Sequence, residues 1–262
     1  MDLELAGKKA LVTAASKGLG KAAAEALAHE GAQVAICARS DQIHRVAKEI
    51  SRDSGGPVHA YNTDLTRPKD IEKFVKSALE DLGGVDILII NSGGPPPGTF
   101  MDFTPDDWRS AVELTLMSAV ELCYQVVPIM VQQNGGSIVT SQSVSVKQPV
   151  ENLILSNSIR LAVIGLMKSL ANELGPSGIR VNSINPTFTW TERVASLMED
   201  RASRSDTTVE DVTARTTQEI PLRRMGSVEE FGRAIAWLAS PAASYIHGYA
   251  LMFDGGAVKF PL

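Results

Sequence analysis

Lys9-Ala10-Leu11-Val12-Thr13-Ala14-Ala15-Ser16-Lys17-Gly18-Leu19-Gly20 runs without a break into the alanine-rich stretch Lys21–Gly31. A short apolar run, a turn holding two glycines and a helical pattern closed by a glycine read as strand, tight turn and helix. Glycines at such a turn let the backbone approach a ligand closely. The free N–H groups and the dipole of the helix that follows then favour an anion. Thr13, Ser16, Lys17, Gly18, Leu19 and Gly20 are therefore candidates for a dinucleotide phosphate cradle, with a plain tight turn as the alternative.

Working outward, the same alternation of short β-branched runs and amphipathic helical runs continues along the chain. Strands are expected at Lys9–Thr13, Gln33–Ala38, Val58–Asn62, Val85–Asn91, Ser137–Ser141, Ile179–Asn185 and Ala250–Asp254. Helical patterns lie between them at Leu19–Glu30, Asp41–Ser51, Pro68–Leu82, Pro105–Gln133, Leu153–Leu174 and Val228–Ala239. Repeated βαβ units of this kind build a parallel sheet. With no repeat and no linker, residues 1–262 read as one α/β domain. The one long departure is Thr191–Pro221, polar with a charge-rich centre. Connections this long are commonly lids, so a substrate lid is expected at about 191–221, and a solvated surface helix is the other reading. The Thr208–Asp211 spacing suits a helix cap within it.

Composition narrows the partners. Hydrophobic residues are 44% and charged residues 21% of the 262, ordinary for a globular chain. The net charge is −5 and the 25 basic residues are spread out, which argues against nucleic acid and anionic membrane and for a small-molecule substrate. Cys37 and Cys123 sit in apolar runs and the chain opens on MDLELAGKK, so a cytoplasmic protein is expected. No stretch reads as the roughly 20 apolar residues that span a bilayer.

The end of the second strand refines the ligand. An acidic residue there would bind the 2′-hydroxyl of NAD, and a basic one pairs with the 2′-phosphate of NADP. The chain has Ala38-Arg39-Ser40, with Lys17 as a second cation, so Arg39 and Lys17 favour NADP(H).

Taken together, the motifs resemble those of the short-chain dehydrogenase/reductase family, and a divergent member similar to 3-oxoacyl-[acyl-carrier-protein] reductase-like proteins. Thr13–Gly20 is similar to the family's TGxxxGxG loop, with Ala14 in place of the first glycine. Asp64-Leu65 resembles the adenine-binding Asp segment, and Asn91-Ser92-Gly93-Gly94 resembles the NNAG segment. Arg180-Val181-Asn182 with Pro186-Thr187 resembles the RVN…PG segment, Thr191 falls where the family places a Thr on the carboxamide, and Asp254-Gly255-Gly256 resembles the DGG after the last strand. The resemblance implies a doubly wound Rossmann fold with one seven-stranded parallel sheet. It also implies NADP(H) binding that uses Asp64, Leu65, Asn91, Gly93, Pro186 and Thr191, and a homodimer or homotetramer assembled through the helices at 105–133 and 153–174.

The reaction end departs from the family. Its Asn, Ser, Tyr and Lys carry hydride-transfer chemistry, and only the Ser is matched, by Ser143. The usual spacing places Ser156 at the Tyr position and Arg160 at the Lys position, and Thr115 stands at the Asn position. An ammonium can bring a phenol of pKa near 10 towards neutrality, whereas an aliphatic hydroxyl cannot be tuned that far and an arginine passes no protons. None of the four tyrosines or four histidines lies near this loop in sequence, so Lys147 and Glu151 are the candidate substitute proton donors, or else solvated charges. Ser156 and Arg160 are expected in the altered catalytic set, or at the outward end of a packing helix. Pro95-Pro96-Pro97 would stiffen the loop beside the cofactor, either as a substrate mouth or as a plain turn. The expected function is an NADP(H)-dependent oxidoreductase on a carbonyl or alcohol, with Ser143, Ser156 and Arg160 as its catalytic residues and no metal. The alternatives are a nucleotide-binding sensor or partner subunit on the same fold, and a different reaction on a related ligand.

Overall fold

The computed structural model describes residues 2–259. Seven strands form one parallel sheet: β1 (Lys9–Val12), β2 (Gln33–Ala38), β3 (Val58–Asn62), β4 (Ile87–Ile90), β5 (Gly136–Ser141), β6 (Ile179–Pro186) and β7 (Ala250–Phe253), in the order β3-β2-β1-β4-β5-β6-β7. The helices are α1 (Gly18–His29), α2 (Gln42–Ser54), α3 (Pro68–Leu82), α4 (Pro105–Val112), α5 (Ser118–Gln132), α6 (Ile154–Leu174), α7 (Glu192–Arg204), α8 (Val209–Glu219) and α9 (Val228–Ala239). This is the doubly wound Rossmann arrangement expected from the sequence.

Both faces of the sheet are covered, which is why its central strands are apolar at every position rather than at alternate ones. Ala10 and Val12 of β1, Val34 and Ile36 of β2 and Ile87 and Ile89 of β4 pack under α1, α2 and α9. Their neighbours Leu11, Ala35, Cys37, Leu88 and Ile90 pack under α3, α5 and α6. The segment Pro105–Gln132 and the helix of Ile154–Ser177 are long and apolar enough to cross a membrane, contrary to the sequence expectation. Their buried residues, among them Leu122, Val126, Val163 and Met167, are part of this second core layer.

The winding reverses between β1 and β4. In open α/β sheets ligands bind outside the carboxyl ends of the strands at such a switch point. The fold thereby brings the turn after β1, the Asn91–Gly98 segment after β4 and the Ser143 segment after β5 to one edge.

Two local features add to the alternation of strands and helices, the second in keeping with the helix cap expected at Thr208–Asp211. The long helical pattern at 105–133 contains a five-residue π-helical stretch, Glu113–Met117, between α4 and α5. The 191–221 segment holds two helices, α7 and α8, packed on each other through Met198, Ala202 and Val212, a small cluster separate from the sheet core. Thr208 caps α8 by accepting from the Asp211 N–H.

Candidate active site

The turn after β1 is built from its backbone. Ala14 takes the left-handed conformation, φ 49°, that the glycine of a TGxxxGxG loop would adopt freely, and Gly18 follows at φ 58°. Thr13 and Gly20 lie beneath the turn. The Thr13 hydroxyl donates to the Asn91 carbonyl at 2.7 Å and accepts from the Asn91 N–H at 3.0 Å. A Cβ on Gly20 would sit 2.4 Å from the Ala14 carbonyl oxygen and 2.7 Å from Asn91 Nδ2. These two residues shape the turn and do not line the cleft.

That cleft is large, about 1580 Å³, and the other proposed nucleotide residues line it: Ser16, Lys17, Gly18, Leu19, Arg39, Asp64, Leu65, Asn91, Gly93, Pro186 and Thr191. The cradle left by Gly18 and Gly20 and the room along the strand ends fit a dinucleotide. Arg39 directly follows the last residue of β2 and lines the cleft. Burial acts to raise the Asp64 carboxyl, but hydrogen bonds from the Thr66 N–H and hydroxyl and the charges of Arg39 and Arg67 outweigh it and hold the group low. Lys17 is engaged elsewhere, its Nζ 2.8 Å from the Glu192 carboxylate at the start of α7, so the expected second cation is paired across the cleft. Thr191 caps α7 by accepting from the Val194 N–H at 3.3 Å.

At the other end, Ser143 begins the short turn after β5, its Oγ accepting from the Ser145 N–H at 3.2 Å. Ser145 Oγ lies 3.4 Å from Ser156 Oγ, and Arg160 Nε donates to the same Ser156 oxygen at 3.2 Å. Arg160 Nη1 donates to Gln142 Oε1 at 3.2 Å. Ser156 and Arg160, one turn apart on α6, are each only 7% exposed and both line the cleft. The outward-facing reading of this pair is therefore overturned. Burial, helped by the positive charge of Arg193, pulls the Arg160 guanidinium down to about 10, still charged at neutral pH.

Of the two readings of Lys147, the solvated charge fits, because the residue is exposed and lies off the cleft. Glu151 lines the cleft and is exposed. Among the described residues no tyrosine or histidine lines it. Thr115 is buried in the π-helical stretch with no hydrogen-bond partner for its hydroxyl. The proline loop is tied to the 150s segment, where Gly98 N–H donates to the Asn152 carbonyl at 2.7 Å. Gln142 and Arg193 were not anticipated. Gln142 had only its place beside Ser143 to mark it, and Arg193 lay in a charged run that reads as solvated surface.

A family model described as enoyl-(acyl carrier protein) reductase matches residues 13–258. The uncharacterized oxidoreductase YvrD of Bacillus subtilis (strain 168) is 33% identical over 264 residues, 99% of each chain. L-sorbose reductase from Gluconobacter frateurii, in complex with NADPH and L-sorbose, superposes with a TM-score of 0.95 at 31% identity, covering 99% of this chain and 100% of that one. A 7α-hydroxysteroid dehydrogenase complexed with NADH and 7-oxo glycochenodeoxycholic acid superposes at 0.89 with 33% identity, over 99% and 97% of the two chains. Whole-length agreement of sequence, strand order and nucleotide turn leaves one conclusion: the chain belongs to the short-chain dehydrogenase/reductase family of oxidoreductases.

Proposed function

We propose that the protein is a cytoplasmic NADP(H)-dependent oxidoreductase that interconverts a carbonyl and an alcohol with an altered catalytic set. The observation that carries this reading is the single cleft joining the glycine turn to the buried Ser156–Arg160 pair beside Ser143. A bound nicotinamide would supply or accept the hydride. The rest falls to the chain. Backbone N–H groups of Ser16–Leu19 and the N-terminus of α1 hold the phosphates, Arg39 pairs with the 2′-phosphate, and Asp64 with Leu65 borders the adenine.

Ser143 donates a hydrogen bond to the substrate oxygen. Arg160, braced by Ser156 and Gln142, orients the ribose and substrate and lends positive charge where negative charge develops on that oxygen. Its guanidinium stays protonated, so the oxygen takes its proton from water in the open cleft. NADPH in the sorbose reductase structure supports the cofactor choice, while the NADH in the hydroxysteroid dehydrogenase structure shows that relatives differ. Cys37 and Cys123, both buried free thiols, are compatible with a reducing compartment.

A screen of carbonyls and alcohols at the nicotinamide absorbance band, with Ser143→Ala as control, tests the reading. Turnover that disappears in the control supports it, and a chain that binds NADPH but turns over nothing is a nucleotide-binding protein instead. NADPH should bind about tenfold more tightly than NADH, roughly 1.4 kcal/mol, and Arg39→Ala should erase the difference. Equal affinities for the two cofactors in the wild type would reject the assignment of Arg39.

A further inference from the structure

Arg160 is a buried cation without a counter-ion. Its protein partners are the neutral Ser156 hydroxyl and Gln142 amide, and among the described residues no carboxylate lies within ion-pair distance of it. Burying an unpaired charge costs several kcal/mol, and arginine is seldom fully buried without a partner. The remaining N–H groups of its fork have no protein acceptor and belong to a side chain that lines the cleft.

A second cation, Arg193 of α7, lines the same cleft and adds a like charge to the surroundings of Arg160. Its guanidinium donates to the Pro95 carbonyl at 3.2 Å and lies on Gly94, where a Cβ would come within 2.3 Å of Nη1. Two cations from separate elements, α6 and α7, thus line one cleft, a lining that favours an anionic ligand. Of the acidic residues that line the cleft, Glu192 is paired with Lys17 and Asp200 with Arg204, while Glu151 is exposed to solvent and makes no ion pair with either arginine.

The cofactor's phosphates do not meet this need. Their cradle follows β1, whereas Arg193 covers the segment after β4 and Arg160 faces the turn after β5. Two strand spacings separate β1 from β5, roughly 10 Å. A planar guanidinium fork matches a carboxylate in two parallel hydrogen bonds. Ser143 stands beside Gln142, so a carboxylate on Arg160 belongs to a molecule whose reacting oxygen faces Ser143.

We propose that the substrate carries a carboxylate, held between Arg160 and Arg193, and is an oxo acid or the corresponding hydroxy acid. This rests on the oxidoreductase reading and names the substrate class for the same site.

Thermal-shift and calorimetric titration of the NADP⁺-loaded protein with a panel of linear and aromatic 2-oxo acids, each beside its neutral amide, tests it. The expected result is at least one acid that binds about tenfold more tightly than its amide. That preference should vanish in Arg160→Gln and fall in Arg193→Gln, and Arg160→Lys should keep part of it. Arg193→Gln lies at the exposed mouth, so it keeps the test alive if Arg160→Gln does not fold. Acids no better than amides across the panel would overturn the proposal, as would a preference that survives both glutamine variants. Acids or inorganic pyrophosphate that compete with NADP⁺, with a matching loss of NADP⁺ affinity in Arg160→Gln, would assign the anion to the cofactor and also overturn it. NADPH titration of the wild type separates the two readings, because failure to bind NADPH rejects the oxidoreductase, whereas NADPH binding without acid preference rejects only the carboxylate.

Discussion

A methyl group on Gly20 would meet two fixed atoms, the Ala14 carbonyl oxygen and Asn91 Nδ2, and neither is the free end of a flexible side chain. Gly20→Ala must therefore push the turn out of shape. The expected cost is about 2 kcal/mol in urea unfolding, together with weaker NADPH binding, since the same atoms form the cradle. Unchanged stability would show that α1 can shift to make room. At the reaction end the deciding residues are Ser156 and Arg160. A tyrosine with a neighbouring lysine supplies a proton donor that serine with arginine does not, and positioned acid/base groups are worth about 10²–10⁴ in rate. Ser156→Tyr with Arg160→Lys should raise reduction of simple ketones at least about tenfold, followed by NADPH consumption. A lower rate than wild type would mean that Arg160 contributes more through its charge than a restored donor returns.

Elements, rather than single residues, decide how the cleft is closed. The first turn of α7 sits over the glycine turn, with Thr191 Cγ2 3.6 Å from where a Gly18 Cβ would be and Glu192 bonded to Lys17. Helices α7 and α8 have their own apolar cluster, separate from the sheet core, which is what the proposed substrate lid at 191–221 would need to move as a unit. Both partners of the Lys17–Glu192 pair are more than half exposed, so the pair itself is weak and screened by salt. Its consequence is competition, because Lys17 cannot pair with Glu192 and with a 2′-phosphate at once. Glu192→Gln should tighten NADPH binding by roughly two- to fivefold at low salt, leave NADH binding unchanged, and lose its effect at high ionic strength. Equal changes for both cofactors would show that Lys17 does not reach the phosphate.

At the scale of the whole molecule, the outer faces of two helices bear on assembly. α5 and α6 bury one face each in the second core layer and leave Tyr124, Val131 and Leu161 exposed on the other. Gly165 lies on that outer face of α6 with nothing within 4 Å of its Cβ position, a flat patch suited to close helix contact. A second copy of the chain is the proposed partner, in a dimer or tetramer. Sedimentation at micromolar concentration should give an oligomer for the wild type and a smaller species for Leu161→Glu with Gly165→Arg. A monomeric wild type would remove the proposal.

The sequence by itself determined the fold, because continuous apolar strands, alternating with helices closed by Gly31 and Gly83, admit a doubly covered parallel sheet and little else. It also determined the outline of the nucleotide end, where a local turn carries its own chemistry, and through the family resemblance it located the break at Ser156 and Arg160. Only the tertiary structure decided what these residues face. Whether Arg160 is surface or buried, whether Lys17 is free, and whether Lys147 reaches the cleft depend on contacts between residues far apart in the chain: Gln142 with Arg160, Lys17 with Glu192, Pro95 with Arg193. A charged residue looks the same in sequence on either side of a helix. Its meaning is fixed by the element packed against it, and here by the buried, unpaired guanidinium that α6 brings to the cleft.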